Sequence, residues 1–202
     1  MNMKSDQELR IRPAMPEDSQ AVSLLMYDAI GDIAHTIAGT TDMPDTMDVL
    51  EQLFQQPGCR LSYTNGLVCE AENGDIAGFM LSYSGDEAQS LDELLIRRLQ
   101  DLGLQTSGLV PEARPGEYYL DSLAVSGAYR GAGIGTRLIE AFEQRAAELG
   151  WTRALLLVDR TNLRARALYE RLGYREDGFV ELSGHPYDRM TKRVGTNTGS
   201  PM

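Results

Sequence analysis

Hydrophobic and polar positions in the first third of the chain predict one short strand followed by two helices. Residues 9–12 alternate between apolar and polar side chains, as a strand does. Pro16 opens the first helix and Pro44 the second, which ends at Pro57, whereas residues 31–43 show no clear pattern. The positions predicted to face the core are Ala21, Val22, Leu24, Leu25, Ile30, Met47, Leu50, Leu53 and Phe54.

The next segment has the pattern of a three-stranded antiparallel meander. Asn-Gly pairs, which favour type I′ turns between paired strands, occur at residues 65–66 and 73–74. The sequence therefore predicts a hairpin of residues 60–64 and 67–72, joined by the second turn to a strand over residues 76–84.

Residues 85–116 interrupt this series of strands. Leucines recur there on one helical face, and a passage rich in Gly and Pro follows them. We predict a helical insert, whose apolar face must be buried against another surface. The leucines are Leu91, Leu94, Leu95, Leu99 and Leu102.

Strands and helices alternate in the last part of the chain. The segment 133–149 is predicted to be a helix with an apolar side formed by Ile134, Leu138, Phe142, Ala146 and Leu149. Further predicted elements are strands over 118–125, 153–158, 174–182 and 186–193, and a helix capped by Asn162 that ends near Leu172. Residues 1–194 thus form a single domain, and the tail 195–202, which lacks an apolar cluster, is expected to be disordered.

Composition narrows the class of protein. With 42% hydrophobic and 24% charged residues the chain is typical of a globular protein, and it has no apolar stretch of membrane-spanning length. Its N-terminus lacks the apolar segment of a signal peptide, so a cytoplasmic location is expected. The net charge of −11 disfavours binding to nucleic acid or to an anionic membrane, and it would attract cationic ligands such as amines.

The small numbers of cysteine and histidine argue against a cysteine-based metal site and a serine hydrolase. Cys59 and Cys69 lack a second pair for a metal site, and we expect two ordinary thiols in or beside neighbouring strands. His35 and His185 lack a Gly-x-Ser-x-Gly elbow, which argues against a serine hydrolase.

A glycine-rich segment, residues 126–136, joins a predicted strand to a predicted helix. Glycines at such a junction let backbone N–H groups converge, and the helix N-terminus adds positive partial charge. A diphosphate group beside Arg130 is the expected ligand. A P-loop is excluded because Gly135 is followed by Thr136 and Arg137 in place of Lys and Ser or Thr.

Two other interpretations of this loop remain open. A dinucleotide-binding fingerprint would need glycine where Thr136 stands, although Asp159 ends the next strand about where a ribose-binding acid is found. A glycine-rich helix start without a ligand also fits the loop taken alone.

Two motifs together resemble the GNAT superfamily of N-acetyltransferases. The first is Arg130-Gly131-Ala132-Gly133-Ile134-Gly135, which matches (Arg/Gln)-x-x-Gly-x-(Gly/Ala) after the fourth strand. The second is the segment 162–174, which matches Asn-x-x-Ala-x-x-x-Tyr-x-x-x-Gly-(Phe/Tyr). The resemblance is detailed over residues 117–193 and loose over the strand–helix–helix start.

The resemblance implies an α/β (α+β) GNAT fold with a central mixed, mostly antiparallel twisted sheet of about seven strands. Helices cover both faces, and the sheet is splayed between strands 4 and 5, where the pantetheine arm of acetyl-coenzyme A lies. No metal is implied. The residues implied for coenzyme A binding are Leu123, Ala124, Val125, Arg130, Gly131, Ala132, Gly133, Ile134, Gly135, Thr136, Asn162 and Arg166.

The resemblance also implies catalytic roles. Tyr169 is the expected general acid for the departing thiolate, because a tyrosine is protonated at neutral pH. Asp121 is the first candidate for the general base, and Glu117, acting through water, is the second.

The implied activity is acetyl transfer from acetyl-coenzyme A to a primary amine of a small molecule or a protein, by direct attack in a ternary complex. A non-catalytic sensor or scaffold that binds acetyl-coenzyme A is the alternative. The insert is expected to cover the acceptor site or to form a homodimer contact. The expected acceptor mouth consists of Tyr27, Asp28, Asp32, His35 and Asp42.

Overall fold

The computed structural model describes residues 9–106, 109, 111–182 and 184–195 of the chain. The strands are β1 (Leu9–Pro13), β2 (Gly66–Ala71), β3 (Ile76–Ser84), β4 (Tyr118–Val125), β5 (Arg153–Asp159), β6 (Arg175–Leu182) and β7 (His185–Arg193). The helices are α1 (Ser19–Ile30), α2 (Ile33–Ala38), α3 (Met43–Gln55), α4 (Ala88–Asp101), α5 (Ile134–Glu148) and α6 (Leu163–Arg171). Residues 196–202 lie outside the described part, so a disordered tail stays a prediction.

The strands form one seven-stranded sheet in the order β1-β2-β3-β4-β5-β7-β6. β4 and β5 run parallel, whereas the other neighbouring strands described run antiparallel. The crossover between β4 and β5 is made by α5, as parallel neighbours require. This mixed, mostly antiparallel sheet confirms the expected fold.

The sheet is splayed between β4 and β5. The two strands pair over residues 118–120 and 154–156, after which β4 continues to Val125 alongside β3 alone. A β-bulge lies at the point of parting, since Leu81 pairs with Ser122 and Ser82 with Leu120. Asp121 is therefore the extra residue of β4, where a bulge redirects a side chain.

Helices cover both faces of the sheet, and alternate residues of each strand point to opposite faces. Phe79 and Leu81 of β3 join the core cluster beneath α1, α2 and α3. Met80 joins the cluster on the other face beneath α5 and α6. The buried side of α5 consists of Ile134, Leu138, Ile139, Phe142 and Ala146.

The predicted hairpin before residue 72 is wrong in its first strand. Residues 60–64 form turns that lead into a 3-10 helix at Tyr63–Asn65, and β2 pairs instead with β1 and β3. The side-chain amide of Asn65 donates to the carbonyls of Cys59 and Arg60 at 2.9 and 3.2 Å, which folds this segment back on itself. The turn at 73–74 is confirmed, with Gly74 at φ 86°.

Three smaller expectations are also corrected. The unpatterned segment 31–43 contains α2. Leu24 is 59% exposed, whereas Val22 and Met26, two residues before and after it, face the core. Residues two apart on a helix point in nearly opposite directions, so Leu24 faces away from the core. Leu149 is also 59% exposed, because α5 ends one residue before it.

The insert forms α4 and packs back onto the domain. Leu95 and Leu99 are fully buried, whereas Leu102, just past the end of the helix, is 52% exposed. The two ends of the insert meet, since the N–H of Gly85 donates to the Glu117 carbonyl at 2.8 Å. Among the helices described, none combines the length and the apolar character needed to cross a membrane.

Candidate active site

A cavity of about 370 Å³ opens where β4 and β5 part. Its walls come from the middle of β4, the C-terminal end of β5, the α1–α2 junction and α6. The polar and aromatic side chains that line it are Asp28, Arg60, Glu112, Tyr119, Asp121, Ser122, Asp159, Asn162, Tyr169 and Tyr187. The cavity thus brings together residues that are far apart in sequence.

Asp121 projects into this cavity from the bulge of β4. One carboxylate oxygen accepts a hydrogen bond from the Tyr83 hydroxyl at 3.0 Å, and the other accepts from the Ser122 hydroxyl at 2.7 Å. Burial raises the pKa of Asp121 to about 6; the charge of Arg60 opposes this rise and that of Glu112 adds to it. A carboxylate with this pKa is ionised at neutral pH and is a stronger base than an ordinary aspartate.

Tyr169 lies on α6 and lines the same cavity. Its ring packs edge-on against Tyr174, with the centroids 6.1 Å apart. Burial raises the pKa of Tyr169 to about 12, so the phenol stays protonated over the physiological range. The structure therefore brings the predicted acid and the first candidate base into one space.

Asn162 caps α6, as the sequence predicts. Its side-chain oxygen accepts from the N–H of Ala165 at 3.1 Å, and the residue also lines the cavity. This cap fixes the start of the helix that carries Tyr169.

Arg166 has carboxylate partners that argue against a phosphate contact. Its guanidinium pairs with the buried Asp188 of β7, and it bonds Glu176 at 2.7 Å and Glu170 at 3.0 Å. Because its donors are bonded to three carboxylates, the geometry favours a structural role for Arg166, which joins α6 to β7, over a contact with coenzyme A.

Glu117 lies away from the cavity. It precedes β4 and is 4% exposed, and both of its oxygens accept from Arg189 at 2.8 Å. The N–H of Arg114 donates to it as well, at 2.8 Å. These bonds hold Glu117 against Arg189 and Arg114, so of the two candidate bases the geometry favours Asp121.

The glycine loop has the conformation and the space that an anion needs. Gly131 and Gly133 have φ of 85° and 75°, and a Cβ at either position would meet no atom within 4 Å. The first helical bond of α5 runs from the N–H of Arg137 to the Gly133 carbonyl, which leaves the preceding amides free of helical acceptors. Arg130 is exposed beside them and forms no ion pair with the residues described.

The free edge of β4 continues from the cavity toward this loop. Leu123, Ala124 and Val125 pair with β3 on one side and have no β5 partner on the other. The exposed main-chain groups and the gap between the strands fit an extended pantetheine arm. The helix N-terminus that follows them fits its diphosphate. Asp159, the ribose candidate of the dinucleotide interpretation, instead accepts from the N–H and the hydroxyl of Thr161 at 2.7 and 2.6 Å.

Among the five residues expected at the acceptor mouth, Asp28 lines the cavity and Asp32 does not. The Tyr27 hydroxyl contacts His35 Nε2 at 3.1 Å. Asp42 caps α3 by accepting from the N–H of Asp45 at 3.0 Å. Of the three acidic residues in this set, Asp42 thus has a structural bond and Asp28 faces the cavity.

Sequence reasoning missed Arg60, Glu112 and Tyr83. The sequence pattern predicts a strand at Arg60, Glu112 lies in the Pro-rich end of the insert, and Tyr83 belongs to no recognisable motif. No local signal indicates that these residues share a site, since they meet through long-range packing.

The two cysteines are buried free thiols, and burial raises the pKa of Cys59 to about 11, which makes it a poor nucleophile. Within the described residues, no three or more His, Cys, Asp or Glu side chains are grouped as a metal ion would need.

Comparison with known proteins gives one family match. The sequence profile of the Acetyltransferase (GNAT) family matches residues 29–174. Over 88 residues, 41% of this chain, the sequence is 31% identical to a spermine/spermidine N(1)-acetyltransferase of Bacillus subtilis (strain 168). The chain spans 58% of the length of that relative.

Solved structures superpose over nearly the whole chain. A crystal structure of an acetyltransferase is 31% identical, with a TM-score of 0.76, and covers 92% of this chain and 99% of its own. An N-acetyltransferase from Staphylococcus aureus Mu50 is 27% identical, with a TM-score of 0.76, and covers 91% and 100% respectively.

Proposed function

Because this chain belongs to the acetyltransferase (GNAT) family, we propose that it transfers an acetyl group from acetyl-coenzyme A to a primary amine of a small molecule or a protein. The reaction is a direct attack in a ternary complex. The observation that carries this proposal is the shared cavity of Asp121 and Tyr169 at the parting of β4 and β5.

The donor is held by backbone groups more than by side chains. The amides at the start of α5, aided by Arg130, bind the diphosphate, and the free edge of Leu123–Val125 pairs with the pantetheine arm. Acetyl-coenzyme A supplies the acetyl group as a thioester. A free N–H at the bulge donates to the thioester oxygen as it gains charge.

Asp121 removes a proton from the acceptor ammonium, directly or through a water molecule. The freed amine forms a C–N bond to the acetyl carbonyl carbon while the C–S bond breaks. The electron pair of that bond leaves with sulfur, and Tyr169 donates its phenolic proton there. The second proton of the attacking nitrogen, which is lost as the amide forms, restores the phenol. Proximity of the two substrates supplies much of the rate, with the two side chains contributing general base and acid catalysis.

The acceptor is a cation in its resting form, and the cavity suits one. Carboxylates outnumber the one guanidinium among its charged lining residues, which are Asp28, Glu112, Asp121, Asp159 and Arg60. Such a wall raises the local concentration of cationic ligands. Together with the polyamine acetyltransferase relative, this favours a small alkylamine or a polyamine over an uncharged acceptor.

Isothermal titration with acetyl-coenzyme A, followed by a free-thiol assay over a panel of amines, tests the proposal. We expect saturable binding of the donor, and thiol release with alkylamines and polyamines. Binding without thiol release on any amine would support the alternative, a sensor of acetyl-coenzyme A. Absence of binding would reject both.

A further inference from the structure

The insert contributes one carboxylate, that of Glu112, to the wall of the candidate active-site cavity. Its two ends are fixed to each other, since the N–H of Gly116 donates to Asp86 at 2.9 Å and Gly85 contacts the Arg114 backbone too closely to accept a Cβ. This closure places Glu112 in the cavity wall, while Asp92 of α4 lies beside Arg60 of the same wall.

Both carboxylates hold Arg60. The guanidinium is 5% exposed, with Nη1 2.8 Å from Glu112 Oε1 and Nε 3.4 Å from Asp92 Oδ1. Burial disfavours its charged form, but Glu112 and the neighbouring acidic groups keep the pKa of Arg60 above its ordinary value. A permanent positive charge is therefore fixed beside the cavity.

Glu112 also orients the aromatic side chains next to Asp121. Its second oxygen accepts a hydrogen bond from the Tyr119 hydroxyl. The Tyr119 ring packs edge-on against Tyr83 at 5.5 Å between centroids, and Tyr83 donates to Asp121 at 3.0 Å. One carboxylate of the insert thus contacts both the nearest cation and the tyrosine pair that borders Asp121.

We propose that Glu112 is a positioning residue for acetyl transfer. It binds the Arg60 guanidinium and orients Tyr119, so that Asp121 has no cationic partner and is free to accept a proton. This inference rests on the proposed function and assigns the insert to the active site. The hydroxyls of Tyr83 and Ser122, both neutral donors, are then the direct hydrogen-bond partners of Asp121.

The charges of Arg60 and Glu112 act on the pKa of Asp121 in opposite directions. Arg60 lowers the pKa of this carboxyl and Glu112 raises it, so neutralising Glu112 removes one effect and leaves Arg60 unbalanced. The released guanidinium then has Asp121 as a carboxylate in the same cavity, and an opposite charge at short range lowers a carboxyl pKa. The charged and titratable groups around Asp121 are Asp28, Arg60, Tyr83, Asp92, Glu112, Tyr119, Asp159, Tyr169 and Tyr187.

The test is an NMR titration of the Asp121 carboxyl in the full chain, its carbon signal being identified by its loss in Asp121→Asn. In Glu112→Gln we expect the midpoint to fall by roughly 1 pH unit or more. Glu93→Gln is the matched control, because Glu93 is 55% exposed on α4, pairs with Arg97, and does not line the cavity. It should leave the midpoint in place.

A second variant guards against a general loss of structure. Arg60→Gln removes the cation, so the midpoint should move to higher pH, opposite to the effect of Glu112→Gln. A structural disturbance would not reverse its sign between the two variants. In the thiol assay, the acidic limb of kcat/KM should move with the NMR midpoint, while KM for acetyl-coenzyme A stays within about twofold.

An unchanged titration midpoint of Asp121 in Glu112→Gln overturns the inference. This holds even if the wild-type chain acetylates amines and Asp121→Asn does not. The proposed function fails in a different way, when the wild-type chain releases no thiol or Asp121→Asn retains full activity.

Discussion

Arg166 of α6 and Asp188 of β7 form an ion pair that fastens the Tyr169 helix to the sheet. Asp188 is 3% exposed, and its other oxygen accepts from Arg160 at 2.7 Å. The proposed acid, Tyr169, is therefore held in place by a contact three residues before it on its own helix, at Arg166, where the sequence suggested a phosphate ligand.

Removing the charge of Asp188 should lower both stability and turnover. Asp188→Asn leaves Arg166 and Arg160 without their shared buried partner, and we expect a loss of roughly 1–3 kcal/mol in the free energy of unfolding, since both arginines are partly exposed. Urea unfolding measures this loss. Glu176→Gln, which removes a more exposed partner of Arg166, is the matched control and should cost less than half as much.

Tyr169→Phe should lower kcat by about 10²-fold or more and leave the Kd for acetyl-coenzyme A nearly unchanged, because the hydroxyl serves the leaving group. Steady-state thiol release and calorimetry measure the two quantities. Tyr187→Phe removes another hydroxyl from the cavity wall and should have a smaller effect on kcat. An undiminished kcat in Tyr169→Phe would exclude the acid role.

The rate should depend on pH through the ionisation of Asp121. The base must be deprotonated, so kcat/KM is expected to rise with pH through about 6, where the carboxyl titrates, and to fall below it. A pH profile of thiol release between 5 and 9 shows this limb. Asp121→Asn should abolish most of the activity at every pH in that range.

Ionisation of Asp121, which should raise the rate, should lower the stability of the folded chain. Its pKa is raised in the folded state, so the folded chain binds more protons than the unfolded chain between the ordinary value and about 6. Asp121 therefore costs stability as pH rises through that window. We expect Asp121→Asn to have a Tm at pH 7 equal to or above that of the wild type. A large fall in Tm would show that the carboxylate is structural.

Gly133→Ala should weaken donor binding without steric crowding. A Cβ there meets no atom, but φ of 75° is costly for alanine, at about 1 kcal/mol, and relief of that strain would turn the amides away from the anion. Calorimetry should show a several-fold higher Kd for acetyl-coenzyme A. Gly127→Ala is the control, because its φ is not positive and its surroundings are equally open.

Local signals in the sequence were enough to predict the elements that form the proposed donor site. The glycine loop, the cap at Asn162 and the strand Tyr118–Val125 all depend on backbone conformation and short-range periodicity. Those properties belong to contiguous residues, so a motif can specify them. The hairpin at residues 60–64 failed because the side chain of Asn65 bonds the preceding carbonyls, and this competes with a hairpin turn.

The sequence by itself determined the family, the order of most elements, the glycine loop proposed to hold a diphosphate, and Tyr169 as candidate acid. Tertiary structure alone distinguished Asp121 from Glu117, since one faces a cavity and the other a buried arginine. It also gave Arg166 three carboxylate partners, and it brought Arg60 and Glu112, 52 residues apart, to 2.8 Å. Such contacts depend on how distant segments pack, and that information is absent from any local pattern.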